Sequence, residues 1–111
     1  MEQISWEQFE KVEIRTGTIT EVAPFPKAKK AAYQLVIDFG DFGILKSSAQ
    51  ITEFYQAEDL IGKQVIAVVN FPPKQIANFI SECLVLGAVN EDGIVVLLQP
   101  ERNTSNGLRI A

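Results

Sequence analysis

Over most of the 111-residue chain, apolar and polar residues alternate in short runs, the period of a strand with one buried face. Val12, Ile14, Thr16, Ile19 and Val22 predict a long first strand, with Gly17 at a bulge or bend. Pro24-Phe25-Pro26 ends it, and Lys27-Ala28-Lys29-Lys30-Ala31 forms a basic connector. Tyr33, Leu35, Ile37 and Phe39 alternate with Gln34, Val36 and Asp38 and predict a second strand. After the turn Gly40-Asp41-Phe42-Gly43, Ile44 to Ser48 predicts a third. Gln64 to Asn70 is the fourth, Glu82 to Val89 the fifth, and Ile94 to Leu98 a further one beyond Glu91-Asp92-Gly93.

Three segments break the alternation. Ser5-Trp6-Glu7-Gln8 has the form of a capping box, in which Ser5 and Gln8 satisfy free backbone amides and start a short helix. Ile4, Trp6 and Phe9 give that helix an apolar stripe, and so short a helix must pack on the domain or on a second copy. Ala49 to Ile61 reads as helical or turn-rich and is closed by Gly62, and the tail from Pro100 to Ala111 reads as extended. Three strands, a short helical connection and two more strands match the order of an OB-fold, a five-stranded Greek-key barrel. The predicted architecture is all-β, one domain over residues 1–111, with a short N-terminal helix and a C-terminal strand extension. In that topology Lys27–Lys30 and Pro72–Ile80 occupy the two loops that flank the ligand face.

Composition narrows the chemistry. An apolar fraction of 47% with 22% charged residues predicts a folded globular chain. No run approaches the roughly 18 apolar residues of a membrane span. The acidic N-terminal stretch lacks the basic start and apolar middle of a secretory signal, so a cytoplasmic location is expected. One Cys and no His leave no intrachain disulfide, no thiolate–imidazole zinc cluster and no imidazole-assisted nucleophile. No other nucleophile–base pair or metal-ligand spacing stands out. The expectation is a binding protein without catalysis, metal or cofactor. A net charge of −4 argues against a general nucleic-acid coat protein. Screening over about 8 Å still permits a local basic site.

The candidate binding residues cluster between Asn70 and Glu82. Pro72-Pro73 stiffens the loop and removes two amide donors. Phe71 and Phe79 read either as lids on the barrel end or as stacking surfaces for a base or an apolar peptide side chain. Lys74, beside Asn70, Gln75 and Ser81, is a candidate phosphate or carboxylate contact. Ser81-Glu82 either starts a strand or offers an acceptor to the groove. Lys27, Lys29 and Lys30 are a solvated loop or a phosphate-steering cluster.

Phe9 to Ile19, Val36 to Gly40, Leu60 to Lys63, and Val69-Asn70 through Ser81-Glu82 together resemble the tRNA-binding domain family. Lys46 to Thr52 and Asn70 to Ile76 are most similar to its CsaA branch of secretion-associated chaperones. The resemblance implies an OB-fold homodimer with terminal extensions in the interface. It also implies a groove in which Asn70, Lys74, Ser81 and Glu82 match the family's binding motif and Ser48 its upstream serine. The implied partners are unfolded or exported polypeptides, or tRNA, with no membrane insertion. Two positions depart from the pattern. Asn78 stands where the family commonly has Gly, and is expected to tolerate a positive φ there. Cys83 stands where Met or Val is usual, and reads as a small buried hydrophobe.

Overall fold

The computed structural model describes residues 1–111. The capping box forms as read: the Gln8 N–H donates to Ser5 Oγ at 3.1 Å and the Ser5 N–H to Gln8 Oε1 at 2.8 Å, starting helix α1 (Trp6–Glu10). Strand β1 (Ile14–Pro24) then runs through both halves of the barrel. Thr18 to Pro24 pairs with β2 (Tyr33–Asp38), and Ile14 to Thr18 pairs with β4 (Gln64–Val68). Beyond β2, strand β3 (Ile44–Ala49) extends the sheet, with a 3-10 turn at Gly40–Phe42 between them. Helix α2 (Ala57–Leu60) makes the predicted connection and drops Leu60 into the core. The result is a nearly closed antiparallel barrel in which β3, β2, β1, β4 and a short strand at Leu84–Val85 lie side by side, the OB-type all-β fold. No helix is long and apolar enough to cross a membrane.

The register of β1 slips between Ile19 and Glu21, so the bulge lies there and not at Gly17. Gly17 has a different reason: a Cβ on it would sit 2.7 Å from the Phe39 ring. The absent side chain lets that ring lie against the strand. Ile19, Leu35, Ile37, Phe39, Leu60 and Val65 fill the barrel and are fully buried. Each contributes on the order of 1.5–3 kcal/mol by leaving water.

The predicted fifth strand is two. Leu84–Val85 (β7) pairs with β4, whereas Gly87–Val89 (β8) turns away to pair with Val95–Leu97 (β9). Gly87 permits the turn, since a Cβ there would lie 2.9 Å from the Val96 carbonyl oxygen. The segment read as the Pro72–Ile80 loop is also more ordered than a loop. Lys74–Ile76 (β5) and Phe79–Ser81 (β6) form a hairpin arm. Its turn puts the positive φ of 53° on Ala77 and not on Asn78. Ala77 therefore carries the strain expected of a Cβ in the left-handed region.

The extended tail closes the remaining edge. The Thr16 N–H donates to the Leu108 carbonyl at 3.0 Å, and the Ile110 N–H to the Ile14 carbonyl at 2.9 Å. Thus the tail borders the part of β1 that β2 leaves uncovered. Thr16 and Gln64 lock it further through the backbone of Thr104, Ser105 and Leu108.

Candidate ligand-binding groove

Strand β3 is an edge of the sheet, and the β5–β6 arm is moored to it by side chains in place of a full ladder. The Ser48 N–H donates to Ser81 Oγ at 3.1 Å, and the Lys46 N–H to Glu82 Oε1 at 3.0 Å. The Glu82 N–H returns a bond to the Lys46 carbonyl at 2.7 Å. One residue inward, the buried Ser47 hydroxyl donates to the Cys83 carbonyl at 3.0 Å. Ser81 and Glu82 therefore satisfy edge donors that would otherwise stand unpaired. Glu82 keeps its second carboxylate oxygen free of partners within the chain.

A second contact ties the arm to the end of β1, just before the lysine connector. Phe79 packs on the buried Phe25 with ring centroids 5.5 Å apart and planes tilted by 59°. One face of Phe79 is thus committed to the barrel end. Lys46 lies toward the same ring, its Nζ 5.4 Å from the centroid.

Two adjoining hollows result. A cleft of about 410 Å³ is bordered by Lys27, Lys29, Lys30, Ser48, Gln50 and Ile76. Beside it, a hollow of about 330 Å³ is bordered by Phe71, Pro72, Lys74, Ser81, Glu82 and Leu84. Ser48 and Ile76 belong to both. Alternation along β3 separates the two serines: Ser47 points inward, while Ser48 is half-buried at the shared wall and its hydroxyl makes no bond within the chain. Phe71 is 53% exposed and Leu84 48%, so the second hollow has an open apolar shelf.

Of the residues singled out in the sequence, Lys27, Lys29, Lys30, Ser48, Phe71, Lys74, Ser81 and Glu82 border the two hollows. Asn70 does not join them. Its Oδ1 accepts from the Glu13 N–H at 3.0 Å and its Nδ2 donates to the Lys11 carbonyl at 2.7 Å. It clasps the segment between α1 and β1. Lys46 was missed, although its place two residues before Ser48 puts it on the same face of β3. With Lys46, five of the chain's ten cationic side chains gather at this end. Glu82 is the one acidic side chain bordering either hollow.

Cys83 supplies no nucleophile. Burial pushes its thiol from the ordinary 9.0 up to about 12, and the nearby Glu82 carboxylate adds to the rise against a lowering hydrogen bond from Ser47. No group of three or more His, Cys, Asp or Glu side chains is placed to hold a metal.

Residues 14–109 match the family described as "Putative tRNA binding domain". A crystal structure of the chaperone CsaA from Bacillus anthracis str. Ames is 51% identical and superposes with a TM-score of 0.94, covering 99% of this chain and 100% of that one. The CsaA chaperone protein of Picrophilus torridus is 55% identical, with a TM-score of 0.91 over 98% of this chain and 100% of the other. The methionine–tRNA ligase of Methanocaldococcus jannaschii is 34% identical over 110 residues, which make up 99% of this chain but 17% of the ligase. The chain thus spans about a sixth of the length of the curated relatives it matches.

Proposed function

This chain belongs to the tRNA-binding domain family, and on that premise we propose that it is a CsaA-like, non-catalytic chaperone whose groove binds unfolded or export-destined polypeptides. The observation that carries this reading is the open shelf of Phe71, Pro72 and Leu84 beside Ser48, Lys74 and the free oxygen of Glu82. Apolar side chains of a client lie on the shelf, and its backbone groups meet the polar rim. Full-length similarity to two CsaA chaperones supports the same choice. Suppression of client aggregation weakens in Phe71→Ala, measured by light scattering of a heat-denatured client. Unchanged suppression by a folded variant rejects the shelf as the client site.

The lysine cleft favours a second reading, tRNA binding in the same groove. Lys27, Lys29 and Lys30 stand together without a carboxylate on the cleft, an arrangement suited to phosphate. Saturable tRNA binding that falls with salt, and falls further in Lys74→Ala, supports it. No saturable binding at low salt removes it.

The working unit in this proposal is a cytoplasmic homodimer joined through the terminal segments. Trp6 is 82% exposed and, with Ile4, Phe9 and Ala111, borders an apolar hollow beside α1. Monomers in sedimentation at micromolar concentration contradict this assembly.

A further inference from the structure

Glu82 poses a chemical question that phosphate binding alone leaves open. A carboxylate at the edge of a basic groove repels phosphate, yet here it borders the shelf hollow among Lys74, Ser81 and Ser48. Its Oε1 is engaged by the Lys46 N–H at 3.0 Å. Oε2 has no partner within the chain, and Glu82 borders the same hollow as the exposed Phe71 ring. An acceptor next to a stacking surface reads the exocyclic amine of a nucleobase: cytosine N4 and adenine N6 donate, while uracil O4 does not.

The cleft next door supplies the complementary part. Lys27, Lys29 and Lys30 border it, Gln50 adds a neutral polar group, and Ser48 offers an unbonded hydroxyl at the wall shared with the shelf. Anionic and flat apolar groups of one ligand are thereby received side by side. We propose that the two hollows form one site for an unpaired nucleotide of single-stranded RNA. The phosphate lies in the lysine cleft, the base on Phe71 and its amine on Glu82 Oε2. This inference rests on the tRNA reading and sharpens it: the groove takes an amino-bearing base out of a stack. In a duplex that amine faces the deep, narrow major groove of A-form RNA and the base stays stacked, so duplex RNA is disfavoured.

Labelled hexacytidylate and hexauridylate set the amino face of one pyrimidine against the carbonyl face of the other in strands of equal length and charge. In fluorescence anisotropy, the native protein binds the cytidine strand roughly five- to tenfold more tightly, the discrimination of one charge-assisted hydrogen bond. Glu82→Gln keeps an oxygen for the Lys46 N–H but turns an NH₂ toward the base, so the preference shifts toward uridine. Phe71→Ala weakens both strands by about fivefold or more, the loss of one stacking contact, without changing the salt slope. Replacing Lys27, Lys29 and Lys30 by Gln lowers that slope by about 0.7 on log–log axes, the loss of one phosphate contact in a single strand. Equal affinity of the native protein for the two strands overturns the proposal, as does an unaltered preference in folded Glu82→Gln. Saturable tRNA binding alongside equal hexamer affinities rejects the nucleotide site and leaves the tRNA reading standing. Loss of both tRNA and hexamer binding rejects the two together.

Discussion

The groove end and the terminal end of the barrel both expose apolar side chains, and charge sets them apart. At the groove, Phe71 and Leu84 lie among Lys46, Lys74 and the lysine connector. At the terminal end, Ile4, Trp6 and Phe9 border a hollow with Ser5 and Ala111 and no charged side chain. Apolar surface interleaved with cations suits an extended, partly anionic ligand that comes and goes. Apolar surface without charge suits another folded protein surface, which removes it from water altogether. The same residue types thus point to exchange at one end and assembly at the other.

The sharpest way to break this division is to invert the charge at one end only. Lys27→Glu, Lys29→Glu and Lys30→Glu together lower tRNA affinity by about 100-fold or more at moderate salt, read by filter binding, while sedimentation finds the proposed dimer intact. A triple variant that binds tRNA normally removes the groove from nucleic-acid binding. The reciprocal change, Trp6→Asp, places a charge in the terminal hollow and raises the dimer dissociation constant at least tenfold, about 1.4 kcal/mol. Sedimentation measures it, and monomer-level groove affinity stays within about twofold.

A third prediction concerns how the groove is built. Glu82→Ala leaves the Lys46 N–H without its side-chain acceptor and loosens the arm, costing about 1–3 kcal/mol in chemical unfolding. Glu82→Gln preserves that acceptor and costs less. Equal losses in the two variants contradict the mooring role. A fourth effect is a pH dependence confined to alkaline solution. The folded Cys83 thiol titrates near 12 and the unfolded one near 9, so the unfolded chain releases its proton first. Stability is therefore fully present below pH 9 and declines between pH 9 and 12. Cys83→Val flattens that part of the curve, as measured by urea unfolding.

The barrel was legible because the apolar residues at every second position from Tyr33 to Phe39 and the Ser5–Gln8 capping box are local signals with local causes. The split of the last strand was not, since it depends on Gly87 meeting Val95 and Val96 across a hairpin. Two three-residue strands around Ala77 carry too little periodicity to be told from a loop. The site was legible as a cluster but not as a division of labour. Asn70 and Ser81 look alike as polar loop residues, yet their partners lie 57 and 33 positions away. Only the folded chain commits Asn70 to the Glu13 segment and Ser81 to β3, leaving Ser48, Lys74 and one oxygen of Glu82 open.

In the proposed function a single groove serves both polypeptide clients and tRNA. Competition between labelled tRNA and a permanently unfolded, reduced and carboxymethylated protein tests it directly. Complete displacement is expected, with an inhibition constant equal to the client's own dissociation constant and the same loss of both ligands in Phe71→Ala. Simultaneous binding of tRNA and client at full stoichiometry would contradict it.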